Sequence, residues 1–324
     1  MNSAILGTGS YVPNRVLTNA DLERMVETSD SWIVERTGIR ERRLVESGQA
    51  CSDLAVEAAQ RALAAANVRA SDIDLILLAT CTGDTPLPST ACLLQYRLGA
   101  TRAAACDISA ACCGFVYALS IADAYVKNGM RYVLVIGSEV MSAITDWTDR
   151  NTCVLFGDGA GAVVLGQGPQ HSGILSTHLH ANGRLSEMIH VPGGGSKEPA
   201  SKEVLDNKRC FIKMKGNETF KIAVKSMEEA AQEAAKANGV TMGDIDVFIP
   251  HQANMRILKA VSQRLELAQE KLMINLDKFG NTSAASIPLA LDEAVLSQRI
   301  QKGHLVLLAA FGAGLTWASA LVRW

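Results

Sequence analysis

The sequence predicts an α/β protein made of two pseudo-symmetric βα-rich halves with mixed sheets packed in a layered body, and three observations carry that prediction. An alanine-rich amphipathic segment leading into an apolar strand occurs twice. The two copies keep one constant offset along much of the chain. Each copy also contains a second apolar strand. AAQRALAAANVRASDIDLILLAT occupies residues 58–80 and AAQEAAKANGVTMGDIDVFIPHQ residues 230–252. A shift of 172 positions superimposes Gln60 on Gln232, Val68 on Val240, Asp72 on Asp244 and Asp74 on Asp246. Carried forward, it places RYVLVIGS (131–138) on GHLVLLAA (303–310), and Ala118 and Leu119 on Ala290 and Leu291.

Each element follows from this pattern. Apolar residues at helical spacing predict helices in the alanine-rich segments, and the uninterrupted apolar runs behind them predict strands covered on both faces. The halves are expected at residues 1–170 and 171–324. Between 171 and 217 the periodicity weakens, and PGGGSKEPASKE supplies turn formers and charges, so a surface excursion near an entrance is expected there. The glycine clusters GTGS (7–10) and GDGAGA (157–162) lack the spacing of a dinucleotide loop and are expected to be turns between strands.

Composition removes several function classes. At 324 residues with 48% hydrophobic side chains, the chain can bury a large core, yet it has no apolar run long enough to span a bilayer. The first residues, MNSAILGTGSYVP, lack the features of a secretory signal, so a cytoplasmic, non-membrane protein is expected. Its eight cysteines occur without a CxxC pair, which points to reduced, mostly core thiols. The six histidines are not spaced with them as metal ligands, so no metal is expected. A formal net charge of −2 argues against nucleic acid as a partner.

The chemistry-bearing residues are few. DISAACCGF (107–115) puts Cys112 and Cys113 at a helix start, where unpaired N–H groups and the helix dipole favour a thiolate. Two small thiols that merely permit close packing fit that segment equally well. IPHQANMRI (249–257) sets His251 just beyond an apolar strand, and FGNTSAAS (279–286) sets Asn281 at a glycine-marked turn. The 172-residue shift aligns the helix entered by Asn281 with the helix entered by Cys112. Pseudo-symmetric packing then brings Cys112, His251 and Asn281 to a common axis. FGAGLTW (311–317) is a turn between apolar strands, either a plain hairpin or a source of backbone N–H groups for an oxyanion.

Taken in order, TSDSWIVERTGIRERR (28–43), the Cys112 segment, DRNTCVLFGDGAGA (149–162), GNETF (216–220), PHQAN, FGNTSAAS and the FGAGLTW ending resemble the β-ketoacyl-acyl carrier protein synthase III family. The resemblance spans nearly the whole chain and implies the thiolase-like fold. It implies that Cys112 takes an acyl group from coenzyme A, used as a substrate with no tightly bound cofactor. His251 and Asn281 then bind the thioester oxygen of malonyl-acyl carrier protein as carbon dioxide leaves. Backbone N–H groups of Cys112 and Ala313 form the oxyanion hole, although many members have glycine where Ala313 stands. The resemblance further implies that Trp32 and Arg150 sandwich the adenine, that Thr28, Arg36, Gly216, Asn217 and Asn254 line the coenzyme path, and that Lys221 and Arg256 dock the carrier protein. From the residues alone, Trp32 reads equally as a core aromatic, and the RTGIRERR arginines as a solvated face. Leu87 matches an acyl-pocket position that is often aromatic and often contributed across a homodimer. Rival readings are a synthase of specialised metabolism, a thiolase, which would carry a second catalytic cysteine, and a non-catalytic acyl or coenzyme A binder.

Overall fold

In the computed structural model, which describes residues 2–169 and 172–324, strands sort themselves into two principal sheets by position in the chain. The first sheet runs Ser3–Tyr11, Asp158–Gln167, Tyr132–Val140, Leu75–Ala79, Ala104–Ile108. The second runs Gly173–Ala181, Thr316–Arg323, Leu305–Gly312, Val247–Pro250. Order and direction match strand for strand, with two antiparallel pairings followed by a parallel one. The first sheet has a further parallel edge strand, Ala104–Ile108. The boundary expected between 170 and 171 falls on residues outside those described.

Alternation along the central strands explains the layering. Leu75, Leu77 and Ala79 join the core between the sheets, whereas Ile76 and Leu78 join the core beneath the outer helix Cys51–Ala66. In the second sheet Val306 and Leu308 face the middle, and Leu307 and Ala309 face the outer helices Gly216–Ala237 and Met255–Arg264. Two central helices, Gly114–Lys127 and Ser286–Leu296, fill the space between the sheets and contact both. The offset of 172 persists in detail: the 3-10 turns Ala70–Asp72 and Met242–Asp244 correspond, as do Ala111–Cys113 and Ser283–Ala285. No helix of the described residues is long and apolar enough to cross a membrane.

Three expectations need correction. The two glycine clusters are strand interior, not turns: Gly7 and Gly9 lie in Ser3–Tyr11, and Gly157 to Ala162 run into and along Asp158–Gln167. The cause is close helix approach. A Cβ on Gly9 would sit 2.3 Å from the backbone nitrogen of Ala62, and one on Gly161 would sit 2.6 Å from the backbone of Pro288. Most cysteines are not core residues, since only Cys51, Cys113 and Cys153 are buried; all eight are free thiols. The weakly periodic region is not all excursion, because residues 173–181 form the outer strand of the second sheet.

Because Gly9 faces helix backbone rather than a movable side chain, Gly9→Ala should destabilise by about 1–3 kcal/mol or more. Gly183→Ala, with open space around its Cβ position, should change stability by less than about 0.5 kcal/mol. Urea unfolding midpoints of the two variants check this contrast.

Candidate active site

Two turns and one strand end converge on a cavity of about 1390 Å³. Cys112 sits in the turn Ala111–Cys113, one step before the central helix Gly114–Lys127. Asn281 stands just ahead of the corresponding turn Ser283–Ala285, which enters the other central helix. His251 directly follows the strand Val247–Pro250. Cys112, His251, Asn281 and Ala313 all line the cavity. The first residue of each turn, Ala111 and Ser283, adopts a left-handed φ of +46° and +49°, a region that costs non-glycine residues on the order of 1–3 kcal/mol. Gly312 lets the second sheet come this close: a Cβ there would lie 2.9 Å from the Cys112 nitrogen.

Around the Cys112 sulfur stand the Ser283 hydroxyl and the backbone N–H groups of Cys112 and Ala313, each of which favours a thiolate when it is the donor to sulfur. Burial outweighs them. It pushes the thiol up to about 12, and the Glu139 carboxylate adds to the rise. The helix-start expectation of a lowered pKa therefore fails for the unliganded protein, because desolvation exceeds what a short 3-10 turn supplies. Cys113 is fully buried in the core between the sheets and is a packing residue.

His251 is held neutral. Burial pulls its pKa down to about 3. Its Nδ1 lies 2.6 Å from the Ser286 hydroxyl, which also accepts the Gln252 N–H at 3.3 Å. Ser286 has one proton and two lone pairs, so it pairs with Nδ1 in either ring tautomer; with the hydroxyl as donor, Nε2 carries the ring proton. Asn281 is fixed as firmly: its N–H donates to the Leu155 carbonyl at 2.8 Å, its carbonyl accepts from Gly157 at 3.1 Å, and its Oδ1 accepts the Ser283 N–H at 2.9 Å. That leaves the side-chain amide as a donor. Beneath this strip lies Arg42, fully buried rather than solvated, donating to the carbonyls of Leu17 and Val154 and to Asn19.

Trp32, Arg36, Gly216, Asn217, Lys221, Asn254 and Arg256 line the same cavity. Trp32 is partly buried, with the guanidinium of Arg36 4.7 Å and that of Arg150 4.9 Å from its ring centroid. Asn254 joins the halves, donating to the Arg36 carbonyl while capping the helix Met255–Arg264. Thr28 and Arg150 are not part of the lining; Arg150 reaches the mouth through Trp32, and Thr28 keeps a buried Oγ1 without a hydrogen-bond partner. Leu87 also stands outside the cavity of its own chain and is 85% exposed. Sequence reasoning missed Glu139, Ser283 and Ser286. Their signals were an acid closing the apolar run RYVLVIGSE and the two outer serines of SAAS, both easily taken for ordinary polar ends of elements.

Two family models match: 3-oxoacyl-[acyl-carrier-protein] synthase III over residues 106–183 and its C-terminal region over residues 235–324. A β-ketoacyl-[acyl-carrier-protein] synthase III from Caldanaerobacter subterraneus is 54% identical over 323 residues, covering 99% of this chain and 98% of the relative. The chain belongs to the β-ketoacyl-[acyl-carrier-protein] synthase III family. Its fold agrees: the synthase III of Aquifex aeolicus superposes with a TM-score of 0.93 at 48% identity, covering 99% of this chain and all of that one. The priming β-ketosynthase of the R1128 polyketide pathway superposes with a TM-score of 0.92 at 36% identity, over 99% of this chain and 96% of that one. This synthase III chain is thus a condensing acyltransferase on a thiolase fold.

Neutral His251 also shapes acid stability. An unfolded histidine takes up a proton near pH 6.5, whereas folded His251 resists until about pH 3. Within that window the unfolded state holds the extra proton, so the residue's contribution is complete above pH 6.5 and shrinks as pH falls toward 3. His251→Gln should flatten this part of the acid limb, as measured by urea unfolding at intervals from pH 4 to pH 7. A slope identical to that of the parent would remove His251 as a source of it.

Proposed function

We propose that this chain condenses an acyl-coenzyme A primer with malonyl-acyl carrier protein, opening type II fatty acid synthesis through an acyl group carried on Cys112. The observation that supports the reading is that Cys112, His251, Asn281 and Ala313 line one cavity, with the backbone N–H groups of Cys112 and Ala313 near the thiol and His251 held neutral by burial. In the first half-reaction the Cys112 sulfur attacks the thioester carbonyl. The N–H groups of Cys112 and Ala313 receive the oxyanion, a contribution on the order of 3 kcal/mol per donor, and coenzyme A departs as a thiol.

In the second half-reaction, Nε2–H of His251 and the side-chain amide of Asn281 donate to the malonyl thioester oxygen. Carbon dioxide leaves, the enolate carbon attacks the acyl-Cys112 carbonyl, and the Cys112 sulfur departs as a thiolate that takes up one proton from water. Neutral donors suit this step. A histidine that charged at neutral pH would add a titration to the rate, whereas His251 remains the same hydrogen-bond donor across that range.

At the mouth, Trp32 offers a flat face to the adenine, which enters by moving Arg150 off the ring; Thr28, Arg36, Gly216, Asn217 and Asn254 accompany the rest of the coenzyme. Exposed Lys221 and Arg256 on the rim suit an acidic carrier protein. The halves 1–170 and 171–324 divide the labour, the first bringing the nucleophile and the second His251 and Asn281. A cytoplasmic homodimer would suit the edge strand Ala104–Ile108 and the exposed Leu87 and Tyr96, with Leu87 then entering the acyl pocket of the partner subunit. A specialised priming synthase is the second reading, with one 36% identical likeness behind it, and the 54% identical relative favours the fatty-acid role over it.

Cys112→Ser should abolish the acyl adduct seen by intact-protein mass after mixing with acetyl-coenzyme A; an undiminished adduct removes Cys112 from the mechanism. His251→Ala should still acylate but decarboxylate malonyl-acyl carrier protein at least about 100-fold more slowly, followed as carbon dioxide release. With Leu87 in place of an aromatic, primers longer or more branched than acetyl should be accepted in an acyl-coenzyme A panel. Strict acetyl preference rejects that reading of Leu87.

A further inference from the structure

Behind Cys112 lies a buried acid that the condensation described above does not use. Glu139 closes the apolar strand Tyr132–Val140 and is fully enclosed. One carboxylate oxygen accepts the Ser283 hydroxyl at 3.0 Å and the Cys81 thiol at 3.3 Å. The other accepts the Thr80 hydroxyl at 3.2 Å, the Cys81 backbone N–H at 3.1 Å and the Thr82 hydroxyl. Five donors are aimed at this group, so the fold is built to hold it ionised at a place where burial alone would forbid a charge. Ser283 stands on the turn packed against the Cys112 turn and lines the same cavity as Cys112. Its hydroxyl has one proton, which is donated to Glu139, so its oxygen has lone pairs left with which to take a proton from the thiol.

We propose that Glu139 is the proton acceptor for Cys112 during acylation, reached through the hydroxyl of Ser283. This rests on the reading of Cys112 as the acyl carrier. As the sulfur attacks the thioester carbonyl, its proton passes to the Ser283 oxygen and the Ser283 proton passes to a carboxylate oxygen of Glu139. When the tetrahedral adduct collapses and the carbon–sulfur bond to coenzyme A breaks, the proton returns through Ser283 to the departing sulfur. One thiol enters and one leaves, with no proton gained or lost.

Charge conservation is the physical reason to favour this route. Expelling the proton to solvent would leave a thiolate and a carboxylate together in an enclosed site, and the repulsion of Glu139 is one of the causes that raise the Cys112 pKa. Transfer to Glu139 moves one negative charge from carboxylate to sulfur and extinguishes that repulsion. Burial also pushes the Glu139 carboxyl above the ordinary glutamate range, which makes it a better acceptor near neutral pH. His251 suits this part less well, since burial disfavours its protonated form.

Rapid-quench mass spectrometry of the acyl adduct formed from acetyl-coenzyme A tests the relay. Glu139→Gln and Ser283→Ala should each slow adduct formation about 100-fold, the usual contribution of a positioned base. In mixtures of light and heavy water the parent should give a curved proton inventory, reporting two protons in flight, and Ser283→Ala should give a straight one. A structural defect slows acylation without straightening that curve, so the measurement stands even if Glu139→Gln folds poorly. Acylation by Glu139→Gln at the parent rate or faster would reduce the carboxylate to an electrostatic brake and overturn the proposal, as would a linear inventory in the parent. If Cys112→Ser still forms the adduct, the reading of Cys112 has failed instead. Loss of the adduct in Cys112→Ser with an unslowed Glu139→Gln defeats the relay alone.

Discussion

The site depends on backbone approaching backbone where the two halves meet. Gly312 has no Cβ because the Cys112 nitrogen occupies that space, and Gly137 has none because the Ala284 carbonyl does. These contacts clamp the turns that begin with Ala111 and Ser283, and both turns start in a left-handed conformation that the surrounding packing must enforce. Cys112 and Asn281 inherit their positions from that clamp. Arg42 supports it from below, holding the Val154 carbonyl beside the segment that bonds Asn281 on both sides. A buried guanidinium held by neutral oxygens, with its Nε left without a hydrogen-bond partner, is costly to desolvate, and its placement fixes backbone rather than neutralising a carboxylate.

Neutrality is the other theme of the unliganded pocket. Burial keeps Cys112 a thiol and His251 an uncharged imidazole, so these cavity-lining groups are dipoles rather than ions. Dipoles lose less on leaving water than ions do, and they act strongly where water is excluded. Charge is kept to the rim, in Arg36, Lys221 and Arg256, and to Glu139, whose five donors substitute for water.

The repeat made the fold legible because a strand covered on both faces leaves a plain apolar run, and because duplicated halves preserve their spacing to the residue in the 3-10 turns. That Cys112, His251 and Asn281 would line one cavity was legible because strand ends and helix starts are where such folds gather side chains. What stayed hidden depended on the third dimension. The glycines of residues 157–162 look like a loop unless the helix pressed against them is known. Arg42 looks solvated within a charged run, since burial of one arginine among several leaves no mark in the pattern. The Cys112 pKa was misread for a similar reason: the favourable helix start is local, whereas the desolvation that overrides it comes from the other half.

The layer between the sheets has a consequence for how the chain is made. Its apolar core draws on Leu77, Val135 and Phe115 from early in the sequence and on Ile287, Leu291 and Leu308 from near its end. The early half therefore leaves the ribosome with the inner face of its sheet uncovered by the second central helix. At about 5–20 residues per second, that face waits roughly 6–25 s for residues 170–296 to be synthesised. During that interval the nascent chain is an amphiphile, and its soluble yield is set by how well the cell shields one apolar surface until the other arrives.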